Sequence, residues 1–200
     1  MRVLAFDQSL NHSAAVLLKS SESGLANLII EEQFVHRPKS TGIFRMIELR
    51  VWIEKIVEDY RPQTLIREMH NQRTYGAASG IHAINGFIDA VAFDRQFLER
   101  NSYFMIPPGV WKKLCLGKGN IAKDTAYLVH VNKFLSKNNW LEVHNEFTVL
   151  DDNIADAICL GITGHLFFRF MRGDDPMPLT KAQENIIKKN ALAVMDYGKL

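Results

Sequence analysis

An α/β fold, a five-stranded mixed sheet flanked by helices, is predicted by two patterns in the chain. Residues 3–7 and 14–18 are short apolar runs joined by a polar turn, the mark of an antiparallel hairpin of buried strands. Further apolar runs at 64–68 and 103–106 each follow a helical stripe, which places those strands parallel to the first. Asp7 closes the first run, and it is expected on the central strand of the sheet, near the sheet's middle, where a charge is costly unless paired or metal-bound.

The elements follow in order. A third strand, residues 28–35, lies nearer an edge because its centre is polar. From Thr41, the residues Met46, Leu49, Ile53, Ile56 and Tyr60 form one stripe of an amphipathic helix, stopped at Arg61-Pro62. Strand 64–68 ends on a second carboxylate, Glu68. A helix over 75–98 carries Ile81, Ile84, Ile88 and Val91 on one face, and its small residues suit close packing or a subunit interface. Strand 103–106 ends at Pro107-Pro108, and a glycine-flanked loop at 117–120 precedes a helix over 122–136. The last core helix runs from Asp151-Asp152 to about 171, and a linker then leads to a helix over 179–194.

With 200 residues, 47% of them apolar, the chain suits one soluble domain with a full core. A net charge of +2 supplies no global basic field. Residues 111–137, however, hold Lys112, Lys113, Lys118, Lys123, Lys133 and Lys137 against one acid, Asp124. Such a strip suits either a solvated helix face or a phosphate backbone. Two cysteines in apolar company argue against a disulfide framework and fit a reducing compartment such as the cytoplasm. No signal peptide and no membrane span are expected, because charges interrupt every apolar run.

The topology brings Asp7, Glu68 and Asp156 together. Carboxylates so grouped repel one another and make sense around a divalent cation, with hard oxygen donors favouring Mg²⁺ or Mn²⁺. Two such ions support in-line phosphodiester displacement.

Four blocks then carry a resemblance: Leu4-Ala5-Phe6-Asp7-Gln8-Ser9, Leu65-Ile66-Arg67-Glu68, the segment from Ile106 through Gly117-Lys118-Gly119 to Lys123, and Ala155-Asp156-Ala157-Ile158 through Thr163. In this order and spacing they resemble the RuvC-type Holliday junction resolvases of the RNase H-like superfamily, over roughly residues 1–170. The divergence and the tail look more like a phage or viral branch. The resemblance implies a nuclease domain over 1–172, with 173–200 a linker and appended helix. It also implies a homodimer cutting branched DNA, above all the four-way junction, with two Mg²⁺ or Mn²⁺ ions per site. Asp7, Glu68 and Asp156 become metal ligands and catalytic groups.

The family carries a fourth carboxylate or a histidine three residues before the last Asp; here Asn153 stands there, beside Asp152. Either Asp152 has taken the fourth place, or Asn153 fills it as a weaker, uncharged ligand that impairs cleavage. Asp151 reads as a helix cap. Lys118, in the active-site block, and Lys123 match the family's basic residues near the scissile strand. Arg73, Tyr75, Lys112 and Lys113 are expected to meet DNA. Two rival readings are a non-catalytic branched-DNA-binding protein, consistent with Asn153, and an ASKHA-type phosphotransferase. The latter needs a duplicated domain and glycine-rich phosphate loops that the chain lacks.

Overall fold

The computed structural model describes residues 1–20, 28–69, 78–97, 102–124, 126–138, 141–142, 149, 151–174 and 179–196. The elements are β1 (Arg2–Asp7), β2 (Ser13–Ser20), β3 (Leu28–His36), α1 (Gly42–Tyr60), β4 (Thr64–Glu68), α2 (Ala78–Asp94) and β5 (Tyr103–Ile106), followed by α3 (Pro108–Leu116), α4 (Tyr127–Lys137), β6 (Leu141–Glu142), α5 (Asp152–Arg172) and α6 (Lys181–Asp196). The sheet order is β5-β4-β1-β2-β3-β6. The first three strands are antiparallel neighbours, and β4 and β5 run parallel to β1, as expected. A two-residue β6 adds one short parallel edge to the five expected strands.

Side-chain alternation along β1 divides the protein into two cores. Val3 and Ala5 face α5, with Ile158, Ile162 and Trp111 in the same cluster. Leu4 and Phe6 face the other way, onto Ile53 of α1 and Ile84 and Ile88 of α2. Burial on both faces explains why the strand is an unbroken apolar run rather than an alternating one. The same period-two logic places Asp7 on the α5 side, two residues beyond Ala5. On β4, Ile66 joins the α5-side core and Leu65 the other, so Glu68 falls on the α5 side and Arg67 on the α2 side. Arg67 indeed meets Asp89 of α2, with Nε donating to Oδ1 at 2.7 Å and Nη2 to Oδ2 at 3.0 Å.

α5 has the length and apolar composition of a membrane span, yet 78% of its apolar window is buried inside the protein. It is the central helix of the core. It lies close to the sheet because Gly161 and Gly164 leave room. A Cβ at Gly164 would come 1.8 Å from Ile66 Cδ1, and one at Gly161 would come 2.7 Å from Leu18 Cδ1. The α5 ends are capped at both sides: Asp151 accepts from the Asn153 and Ile154 amides, and Gly173 closes the C-terminus at φ 70°.

Asp7 ends β1, a central strand of the sheet, as its place at the close of the apolar run implies. β5 stops at Ile106 before Pro107-Pro108, as expected; Pro108 is then the first residue of α3, where its missing N–H costs nothing, and Trp111, Leu114 and Cys115 form the buried face. One expectation is corrected. The next helix starts at Tyr127, not at 122, which leaves Lys123 on an irregular segment free to reach inward. α6 packs on α3, α5 and β5 and buries Ile187 in the α5-side core.

Candidate active site

Two strand ends and one helix turn build the site. Asp7 ends β1, Glu68 ends the parallel neighbour β4, and the β1–β4 register, Phe6 opposite Arg67, carries both to the same level of the sheet. Asp156 lies in the second turn of α5, which crosses that level. All three carboxylates are buried, at 6%, 9% and 4% exposure. They feel one another. Burial pushes Asp7 well above the usual carboxylate range, and Asp156 and Glu68 push it further. Burial, then Asp156, raises Glu68 to about 7, against the pull of Lys112 and Lys123. Burial raises Asp156 as well, with Lys123 and Tyr127 opposing.

Among the described residues, Lys123 reaches into this cluster. Lys123 Nζ stands 2.7 Å from Asp156 Oδ2 and 3.5 Å from Asp152 Oδ2. Burial works against its charge, but Asp156, Asp7 and Asp152 outweigh it and raise its pKa. The Tyr127 hydroxyl donates to Asp156 Oδ1, so both Asp156 oxygens are engaged. Beneath, the Glu68 backbone is held in place: its carbonyl accepts from Gln8 Nε2 at 2.7 Å and from Arg67 Nη1 at 3.1 Å. Gln8 Nε2 also donates to Asn85 Oδ1 at 2.9 Å, which ties the strand ends to α2. The Trp111 indole lies near enough to Glu68 to favour its charged form, without a hydrogen bond of good geometry.

The α5 N-terminus forms the rim. Asp152 is half exposed and faces Lys123. Asn153 Nδ2 is 2.9 Å from His12 Nδ1, and His12 Nε2 is 3.4 Å from Asp151 Oδ2. A cavity of about 650 Å³ opens here, sharing Lys123, Tyr127 and Asp152 with the cluster and adding His12, Leu128 and Asp151.

The arrangement thus brings Asp7, Glu68, Asp156, Asp152 and Lys123 into one electrostatic group, with Asn153 at its edge. Lys112 acts on Glu68 and Asp156 by charge and lies 5.2 Å from the Trp111 ring centroid. Lys118 and Lys113 are exposed, and Lys118 makes no ion pair among the described residues. Arg73 and Tyr75 lie outside the described residues. Tyr127, His12, Gln8 and Trp111 are site residues that sequence patterns do not reveal; only Gln8, next to Asp7, has a position that could have flagged it.

Whether a divalent cation fits depends on donors and on space. The donors fit: burial, and Asp156 beside them, disfavour the charged forms of Asp7 and Glu68, which a cation would stabilise, and hard cations prefer such oxygens. Among the described residues, however, no three His, Cys, Asp or Glu side chains are arranged to hold an ion. Lys123 and Tyr127 occupy the oxygens of Asp156 instead. An ion would take over the charge that Lys123 balances here.

The chain matches no protein-family model and no curated protein sequence. Solved structures do resemble it. Thermus thermophilus RuvC in complex with a Holliday junction substrate is similar at TM-score 0.65 and 17% identity, covering 88% of this chain and 99% of that one. RuvC from the same organism, in a second structure, aligns at TM-score 0.61 and 17% identity, over 87% and 98% of the two chains. The yeast mitochondrial Holliday junction resolvase Ydc2 aligns at TM-score 0.54 and 12% identity, over 99% of this chain and 83% of that one. With its β5-β4-β1-β2-β3 order and its crossing helix α5, this chain has the RuvC-like Holliday junction resolvase fold.

Proposed function

We propose that the protein is a metal-dependent, structure-selective endonuclease acting on branched DNA. One observation carries this reading: Asp7, Glu68 and Asp156, from three separate elements, are buried together with their pKa values raised by burial, and Asp156 raises both others further, on a fold shared with junction resolvases. Asp7, Glu68 and Asp156 would hold Mg²⁺ or Mn²⁺, with Asp152 or Asn153 supplying a further oxygen. Bound there, such ions activate water and stabilise the leaving oxygen. The protein's own groups do the rest. Gln8 and Arg67 hold the Glu68 backbone, while Trp111 and the core exclude water from behind the carboxylates. Lys123, Lys112 and the exposed Lys113, Lys118, Lys133 and Lys137 offer positive charge to phosphates.

A four-way junction is nearly two-fold symmetric, so a two-fold dimer sets one site against each of two opposed strands. The apolar surface supports a dimer: Ile43, Phe44, Ile47 and Val51 of α1 and Phe93 of α2 are all exposed, between 47% and 68%.

The test is cleavage of synthetic four-way, three-way and flap DNAs in Mg²⁺ and in Mn²⁺, with a linear duplex as control. Cutting of branched forms alone, lost in chelator, is the expected result. Cutting of duplex and branched DNA alike would overturn it. A second reading, a branched-DNA binder without activity, is favoured by the uncharged Asn153; it predicts tight junction binding with no cleavage in either metal.

A further inference from the structure

We propose that Arg37, Lys39 and Arg45 form a second phosphate-binding surface, which takes a further arm of branched DNA and so sets the preference for branches over linear duplex. This rests on the branched-DNA reading above.

The strand register places the surface. Asp7 of β1 pairs with Ala14 of β2, and Ala14 pairs with Val35 of β3, so the three stand in one row across the sheet. Adjacent strands lie about 4.8 Å apart, which sets Val35 roughly 10 Å from Asp7 along that row. β3 ends one residue later, at His36, and the chain turns through Arg37 and Lys39 into α1. On the other side of Asp7, Glu68 of β4 pairs with Ile106 of β5, and α3, which carries Lys112 and Lys113, starts at Pro108. One edge of the sheet therefore presents the lysine strip, then Glu68 and Asp7, then the basic turn between β3 and α1.

This turn holds its positive charge in place. Residues 36–47 contain no acid, and neither do residues 10–12 between β1 and β2. Glu48, the next acid, accepts from the Lys39 amide at 2.9 Å and from Ser40 Oγ, so its carboxylate is engaged in fixing the turn. Arg45 Nη1 donates to Asn11 Oδ1 at 2.9 Å, which pins the first turn of α1 beside the turn that follows Asp7. Arg37 and Lys39 are exposed and Arg45 is half-buried. None of the three makes an ion pair among the described residues. The first turn of α1 carries no acid and no side-chain cap, so the positive end of its dipole adds to the same field. Arg45 stands midway between Ile43 and Ile47, off the exposed apolar stripe of α1, and leaves that stripe open to a second copy.

Two basic surfaces thus flank the buried carboxylates. A linear duplex seated on the lysine strip has one axis and leaves in one direction. Arms that diverge from a branch point engage both surfaces at once, and each added phosphate contact strengthens binding. Such contacts carry no base information, so selection made this way is by shape.

The experiment measures binding of the full chain, in chelator, to a synthetic four-way junction and to a linear duplex of equal length, by anisotropy from about 50 to 200 mM salt. Arg37→Gln combined with Lys39→Gln should weaken junction binding about tenfold and lower its salt slope by about two counterions. Duplex affinity should stay within about twofold of the parent's, since the duplex does not reach these residues. Arg37→Lys combined with Lys39→Arg keeps both charges and should bind each DNA as the parent does. Lys133→Ala, on the strip, should weaken both. Sedimentation should show the parent's oligomeric state in every variant. Equal losses on junction and duplex overturn the proposal, as do unchanged junction binding in the neutral variant or a charge-preserving variant no better than it. A changed oligomeric state assigns the surface to a second copy and overturns it too. A parent that shows no preference for the junction overturns the branched-DNA reading together with this inference; a preference that survives in the neutral variant overturns this inference alone.

Discussion

Lys123 Nζ lies 2.7 Å from Asp156 Oδ2, and this ion pair is the principal positive charge within a group of buried carboxylates. It places a long side chain from an irregular segment where a hard cation would otherwise balance the charge. An ion bound as proposed would therefore compete with the lysine for one role in the protein without DNA.

Removing the lysine tests this. Lys123→Met strands Asp156, and because Lys123 is about a third exposed the destabilisation should be modest, on the order of 1–2 kcal/mol. Melting curves with and without Mg²⁺ should show a larger stabilisation by Mg²⁺ in the variant than in the parent. An equal gain in both would contradict the competition.

Stability should also depend on pH in a defined direction. Glu68 ionises at about 7 in the folded chain against 4.5 ordinarily, and Asp7 and Asp156 are raised in the same sense. A raised acid favours the fold while protonated, and that contribution is complete below about pH 4.5. It is lost as pH climbs through 7, by at most a few kcal/mol at about 1.4 kcal/mol per pKa unit. Denaturant titrations of the metal-free protein from pH 4.5 to 8 should show the decline, and Mg²⁺ should flatten it. A metal-free stability that rises over that interval would refute the assignment.

Asp7→Asn and Glu68→Gln should abolish cleavage while junction binding persists in Ca²⁺ or low salt. Each should also raise the melting temperature of the metal-free protein at pH 8, since each removes a buried charge with too little compensation. Full cleavage by either variant of an active parent would remove these residues from the mechanism. Alongside them, Asp152→Asn should abolish cleavage if Asp152 is the fourth ligand, and Asn153→Asp should raise it if Asn153 limits the parent.

Lysines on the strip should separate by role. Lys133→Ala and Lys113→Ala, both at exposed positions, should weaken junction binding and lower the salt slope by about one counterion each. Lys123→Ala should slow the chemical step more than it weakens binding, because its ammonium reaches the carboxylates. Lys118→Ala distinguishes the block's expectation from its exposed placement: a slower chemical step at unchanged affinity assigns it to the chemistry, and lost affinity alone assigns it to the strip. Single-turnover rates at saturating protein, paired with binding isotherms, separate the two effects.

Much of the fold is legible in local patterns of the chain. The hairpin 3–18 and the strands ending at Glu68 and Ile106 show as short apolar runs, the stripe of α1 follows a period of 3.6 residues, and the acidic start of α5 is a local capping signal, each set by one strand or helix alone. α3 is not legible in this way, because nine residues opening on proline are too short to display a period. Proline there reads equally as a break or a first turn. The late start of α4, at Tyr127 rather than 122, is of the same kind. Helical propensity at Ala122 yields to the reach of Lys123 toward Asp156, a tertiary interaction that no local window contains.

The sequence by itself determined which residues carry charge and on which strand or helix they stand: Asp7 and Glu68 at the ends of apolar strands, and Asp156 in the second turn of an apolar helix. Only the tertiary structure decided which of them meet and what they meet. Strand alternation sends Glu68 to α5 and its neighbour Arg67 to Asp89 on the opposite side. The close approach permitted by Gly161 and Gly164 seats α5, and with it Asp156, over the ends of β1 and β4. Tyr127, Trp111 and His12 then enter from parts of the chain remote from their partners, and such contacts depend on how layers pack rather than on any spacing along the chain.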